Sequence, residues 1–240
     1  MTDSVLRVGL IYPSILGTYG DSGNAKILVE RARRRGFDAE VVSVDLGEPI
    51  PAELDVYTLG GGEDVAQAIA AQNMRGDRGL YQAAKADKPI LAICAAMQLL
   101  GTEYTDATGK RVTGLGLLDV ATTPMGKRAI GELMTRPVLD GLEEPLTGFE
   151  NHGGLTRLGA EAKPLGVVTH GVGNGYTDDE MSRPEGAVQG SVIGTYLHGP
   201  VLARNPELAD LILGRVLGRL EPLEVPGVER LRAERLATAN

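Results

Sequence analysis

The sequence predicts an α/β protein: a mostly parallel, doubly wound sheet flanked by helices, with antiparallel additions from the second half. Three observations carry that prediction. Short apolar runs alternate with helical spacings through residues 6–93. Glycine follows several of these elements, where the chain must turn sharply or approach something closely. Beyond about residue 114 the pattern changes to short strands, glycines and turns with little helical periodicity. Strands separated by helices argue for parallel pairing. In such sheets ligands bind beyond the carboxyl ends of the strands.

The elements follow in order. Leu6 to Tyr12 reads as a buried strand, and Asn24 to Arg35 as a helix that Gly36 stops. Ala39 to Val44 and Asp55 to Leu59 read as the next strands, the latter ending in Gly60-Gly61-Gly62. Helical stretches follow around Val65 to Ala71 and Gly79 to Ala86. Pro89 to Ile93 then forms a fourth strand that delivers Cys94 at its end. Later candidates are Leu115 to Thr122, Ala129 to Thr135, Leu165 to His170 and Gly190 to Leu197. Asn205 to Leu220 resumes helical spacing, with Pro206 suited to the first turn. A helical tail covers about residues 221–240. With no repeat or convincing linker, one domain is expected over residues 1–240, its core at about 5–215.

Composition narrows the function classes. The net charge is −8, and the single dense basic run, Arg31 to Arg35, falls late in a helix, where cations suit the dipole. It reads as a solvated face, and no nucleic-acid partner is expected. No apolar run approaches the ~20 residues that a membrane helix needs, so no membrane insertion is expected. Met1 to Arg7 lacks the pattern of a signal peptide. One cysteine without an export signal fits a reducing cytoplasm. The three histidines lie far apart in sequence, and no metal site is expected.

The sharpest chemical feature is Ala92-Ile93-Cys94-Ala95-Ala96-Met97-Gln98. An apolar strand runs straight into a nucleophile and then into a helix, with small residues on both sides, as in a nucleophile elbow. A sharp strand-to-helix turn leaves no room for large neighbours. It points the thiol outward at a helix N-terminus, which favours a thiolate. The N–H of Ala95 is then placed to donate to a developing oxyanion, and Gln98 shares the face of Cys94. Taken alone, a lone cysteine in an apolar stretch is usually an inert core residue. Gly60-Gly61-Gly62 at a strand end is suited to laying backbone N–H groups against an anionic oxygen, or simply to turning tightly. Glu63 and Asp64 suit a helix start. Gly194 to Pro200 carries His198 to the end of a strand, where it could take the thiol proton and later give it to a leaving amine.

The elbow, the glycine run and the late histidine, in this order, resemble class I glutamine amidotransferases. Gly194-Thr195-Tyr196-Leu197-His198-Gly199 is similar to the cobyric-acid-synthase-like branch. Within it, residues 12–24 (YPSILGTYGDSGN), Gly126 to Gly131 and Phe149 to Gly154 resemble the glutaminase subunits of lipid II isoglutaminyl synthases. The resemblance spans about residues 5–215. It implies that Cys94 attacks the side-chain amide of L-glutamine, that His198 moves the proton, and that backbone near Gly61 and Ala95 holds the oxyanion. Gln98, Gly60 and Gly62 would line the substrate, and Arg128 would meet its carboxylate, a task suited to a forked guanidinium. It also implies a heterodimer with a larger Mur-ligase-like (MurT-like) subunit. That partner would bind ATP and Mg and amidate the D-glutamate of the lipid II stem peptide to D-isoglutamine. This chain contains no Gly-x-x-x-x-Gly-Lys-Ser/Thr phosphate loop, so no cofactor is expected in it.

The sequence departs from the wider pattern in two places. The common elbow, Gly-x-Cys-Gly-Gly, is here built on Ala92, Ala95 and Ala96. A glutamate often found two residues after the histidine is replaced by Pro200. Either the site works as a dyad or a distant acid orients His198, with Asp21 and Glu150 as candidates. Two other readings remain: a thiol hydrolase acting without a synthetase partner, and a non-catalytic amidotransferase-like subunit.

Overall fold

The computed structural model describes residues 5–175 and 183–238. Residues 1–4 and the last two residues of the expected tail lie outside them.

The core sheet has six strands: β1 (Leu6–Ile11), β2 (Ala39–Val44), β3 (Val56–Leu59), β4 (Ile90–Ile93), β11 (Ala187–Gln189) and β12 (Val192–Thr195), in the order β11-β12-β4-β3-β1-β2. Every pairing is parallel except β11 with β12. Val8, Val56, Leu91 and Ile193 are almost fully buried, as expected for strands covered on both faces. The register aligns the carboxyl ends: Ile11 faces Leu59, Leu59 faces Ala92, and Thr195 faces Ile93. The segments that leave β1, β3, β4 and β12 therefore emerge side by side.

Helices α1 (Gly23–Arg33), α2 (Asp64–Met74), α3 (Gly79–Lys85) and α4 (Ala95–Leu100) link these strands or follow them. Beyond β12 come α5 (Val201–Arg204), α6 (Pro206–Leu217) and α7 (Val228–Thr238). Gly36 stops the α1 segment at φ +82°, a conformation that glycine adopts without strain. The basic run at the end of α1 is corrected from a solvated face at two of its arginines, while Arg33 and Arg34 are exposed. The Arg31 and Arg35 side chains are only 8% and 6% exposed, and both bond Asp210 on α6, at 2.6 Å and 2.8 Å. Two guanidiniums sharing one carboxylate pin α1 to α6.

Only β11 is added antiparallel to the core sheet. The remaining strands of the second half make a separate sheet. Its path is β10 (Pro184–Glu185), β9 (Gly166–His170), β7 (Val120–Pro137), β5 (Glu103–Thr105) and β6 (Arg111–Thr113), with β8 (Leu146–Leu158) paired to β7. The expected strand from Ala129 and the end of the one from Leu115 merge into β7, whose register with β8 shifts between Pro124 and Ala129. Strand β8 was not anticipated. Glycines at 148, 153 and 154 weaken its strand signal, yet two of them serve close approach. A Cβ at Gly148 would meet Leu197 at 2.7 Å, and one at Gly154 would meet Gln98 Nε2 at 2.8 Å.

Candidate active site

Cys94 joins β4 to α4 at φ +52° and ψ −107°. A residue with a Cβ rarely occupies this region, and such strain collects at functional positions. The strain falls on Cys94 itself, not on the flanking alanines, which is why Ala92, Ala95 and Ala96 can replace glycines. All three are buried, and the crowding demands small side chains there. Cys94 is buried, with 9% of the residue exposed. Ala95 opens α4, where a backbone N–H has no partner within the helix.

His198 lies three residues past the end of β12. A bridge to β8 fixes it there: Phe149 N–H donates to His198 O at 3.1 Å, and His198 N–H to Phe149 O at 2.9 Å. The ring is 1% exposed, and its Nδ1 bonds Asp21 Oδ2 at 2.9 Å. Asp21, in the segment after β1, is therefore the acid that orients this histidine. Glu150 is not. Its carboxylate accepts the N–H groups of Val172 and Gly173, at 2.7 Å and 2.9 Å. Nε2 makes no hydrogen bond of standard geometry. Such contacts are often loose before substrate binds. Burial works against a charged ring. The hydrogen bond and charge of Asp21, together with the neighbouring Cys94, outweigh it and raise His198 to about 9. The influence of Cys94 on the ring brings sulfur and imidazole into one site.

The three glycines after β3 are needed for space. A Cβ on Gly60 would sit 2.3 Å from Leu16 O, and one on Gly62 2.8 Å from Ile15 O. On Gly61 it would meet His198 Cε1 at 2.7 Å and Cys94 Cβ at 3.5 Å. The oxyanion expectation for Gly61 is corrected. Its N–H donates to Asp21 Oδ2 at 2.9 Å, the same oxygen that His198 uses. Gly61 thus fixes the acid, and Ala95 remains as the candidate donor.

A cavity of about 200 Å³ is lined by Gln67, Gln98, Thr122, Arg128, Gly154 and Asp64, among others. Gln98 N–H bonds Cys94 O at 3.2 Å, which sets this cavity one helical turn from the nucleophile. The Gln98 carboxamide is clamped: Gln67 Nε2 donates to its oxygen at 2.8 Å, and its own Nε2 donates to Tyr196 OH at 3.0 Å. Tyr196 OH also bonds Thr156 at 2.7 Å and stacks its ring on His152 at 3.6 Å. Arg128 is exposed, and its Nε donates to Asn151 Oδ1 at 2.6 Å. A larger cavity of about 470 Å³ lies at the amino ends of the strands, beside Leu6, Asp38 and Lys88, away from the thiol.

The fold thus gathers Cys94, His198, Ala95 and the glycine run, and holds Gln98 and Arg128 on one adjoining cavity. Sequence reasoning missed Gln67, Tyr196, Asn151 and Tyr19. The last three lay inside motifs already noted but offered no spacing signal of their own. A buried thiol, an imidazole backed by a carboxylate, and an elbow with an open N–H form the equipment of a cysteine-dependent acyl-transfer site.

Comparison with known proteins gives the class. Residues 7–206 match the CobB/CobQ-like glutamine amidotransferase domain, and the chain belongs to that family. It is 33% identical over 237 residues to the lipid II isoglutaminyl synthase (glutamine-hydrolysing) subunit GatD of Streptococcus pneumoniae R6, covering 97% of this chain and 89% of that one. It is 34% identical to the same subunit of Staphylococcus aureus N315, covering 92% and 90%. The cobyric acid synthase of Sphingopyxis alaskensis is 31% identical, over 74% of this chain but 35% of that enzyme. Among solved structures, two glutamine amidotransferases, one from Thermotoga maritima, share the fold at TM-scores of 0.56 and 0.53, each with 18% identity. They cover 87% and 98% of this chain, and 98% and 94% of their own. Among the described residues, no helix is long and apolar enough to cross a membrane.

Proposed function

We propose that this chain is the glutaminase subunit of a lipid II isoglutaminyl synthase, using Cys94 and His198. The observation that supports this most is the strained Cys94 elbow beside an imidazole held by Asp21. His198 takes the proton of the Cys94 thiol. The thiolate attacks the side-chain carbonyl carbon of L-glutamine, and the Ala95 N–H stabilises the oxyanion that forms. His198 Nε2 gives its proton to the departing nitrogen, which leaves as ammonia, and a glutamyl thioester remains. Water then attacks the thioester, with His198 as base; the C–S bond breaks, glutamate is released and the Cys94 thiol is regenerated. Arg128 would hold the substrate carboxylate, and Gln98 would orient the amide.

Ammonia would pass to a Mur-ligase-like (MurT-like) partner in a cytoplasmic heterodimer. ATP and magnesium would bind on that partner, which amidates D-glutamate of the lipid II stem peptide to D-isoglutamine. The kinship with two GatD subunits over nearly the whole chain supports this assignment.

The test measures glutamate released from L-glutamine by the chain, alone and co-purified with its partner. Cys94→Ala abolishes release; undiminished turnover in that variant sinks the proposal. Hydrolysis of peptides, with no Mur-ligase-like protein co-purifying, would favour a stand-alone thiol hydrolase.

A further inference from the structure

Tyr19 is unusual on three counts. It holds φ +59° although it carries a large side chain, which is costly in the left-handed region. It is 42% exposed, yet its ring meets His198 edge-on with centroids 4.9 Å apart. Its hydroxyl accepts a hydrogen bond from the Asn151 amide. The Tyr19 ring also tilts against Phe149 at 6.1 Å, the residue that bridges His198.

Asn151 is the common member of two contacts. Its Nδ2 donates to Tyr19, and its Oδ1 accepts from Arg128 Nε at 2.6 Å. Its backbone oxygen also takes a long bond from Arg128 Nη2, at 3.5 Å. With Nε and one Nη2 hydrogen engaged in this way, the guanidinium is held on one edge, and Arg128 is among the residues that line the cavity. A planar fork fixed on one edge is preorganised for a carboxylate on the other.

We infer that Tyr19 and Asn151 are positioning residues that couple capture of the substrate's α-carboxylate at Arg128 to the seating of His198. This rests on the glutamine reading above. A carboxylate drawn onto the fork holds Arg128 against Asn151. Asn151 in turn holds the Tyr19 ring edge-on against the imidazole. A substrate with the right amide but no α-carboxylate does not load the relay, so the site discriminates through His198 as well as through direct binding.

The experiment uses the full chain co-purified with its partner subunit. It compares kcat/KM for L-glutamine and for 4-aminobutanamide, which keeps the amide and lacks the carboxylate. Losing the Asn151–Tyr19 hydrogen bond is expected to lower the ratio of the two about tenfold in Tyr19→Phe, and Asn151→Ala, which also loses the bond to Arg128 Nε, is expected to lower it at least as far. In an Arg128→Ala background, Tyr19→Phe is expected to move the ratio no further, because Tyr19 senses the carboxylate only through Asn151 and Arg128. A purely structural role would depress both substrates alike and leave the ratio fixed, and that result overturns the relay. A parent protein that hydrolyses glutamine with an unmoved ratio in the variants removes only the relay. A parent that never hydrolyses glutamine removes the functional reading and the relay with it.

Discussion

Asp21 Oδ2 lies 2.9 Å from His198 Nδ1 although 177 residues separate the two. The same oxygen accepts the N–H of Gly61 at 2.9 Å. One carboxylate therefore ties together the segments that leave β1, β3 and β12. Asp21→Asn keeps the shape and removes the charge that favours an imidazolium. We expect kcat for glutamine hydrolysis to fall roughly 10²-fold with KM little changed. Steady-state kinetics check this, and an unaltered kcat would remove Asp21 from the mechanism.

Gly61→Ala places a methyl 2.7 Å from His198 Cε1. Overpacking of this kind costs about 1–3 kcal/mol. The strain falls on the imidazole, so activity is expected to drop further than stability. Thermal unfolding read beside glutamate release tests the contrast; equal losses in both would contradict it.

Stability is expected to decline with alkaline pH through His198. Its pKa rises from 6.5 unfolded to about 9 folded, through Asp21 and Cys94 and against burial. The native state then binds more protons within that window. The stabilisation is fully present below pH 6.5 and is lost as pH rises through 9. Denaturant titrations across this range check the slope, which is expected to be shallower in Asp21→Asn.

Glu185 behaves in the opposite sense to an ordinary paired carboxylate. Full burial raises it from 4.5 to about 7, with Glu150 adding to the effect, despite hydrogen bonds from Thr195 and Tyr196 N–H. The folded state again holds the extra proton, so stability falls as pH rises from 4.5 through 7. Glu185→Gln retains an oxygen for both donors and cannot ionise. Its stability curve is expected to be flatter over that interval, and parallel curves would refute the assignment.

Tyr196→Phe removes the hydroxyl that Gln98 Nε2 and Thr156 share. The loss is expected to cost about 1 kcal/mol of stability. It also frees the Gln98 carboxamide, so KM for glutamine is expected to rise severalfold with a smaller change in kcat. A kcat effect alone would place Tyr196 elsewhere in the mechanism.

The sequence by itself determined the local pieces. Apolar runs and glycine stops marked β1, α1, β2, β3 and β4 to within a residue or two; for β1, β3 and β4 the reason is that strands buried on both faces are written as largely continuous apolar segments. The small residues around Cys94 announced the elbow, since the crowding they relieve is local. Strand β8 escaped because its glycines answer to Leu197 and Gln98, which lie far away in the chain. Tertiary structure alone decided which acid serves His198. Asp21 and Glu150 were equally open in the sequence. The parallel register brings the segment after β1 beside the segments after β3 and β12, and the second sheet commits Glu150 to the N–H groups of Val172 and Gly173. It also withdrew the Gly61 N–H from the oxyanion and gave Arg128 its neighbour Asn151. Such pairings depend on distances between segments far apart in the chain, and residue spacing carries no record of them.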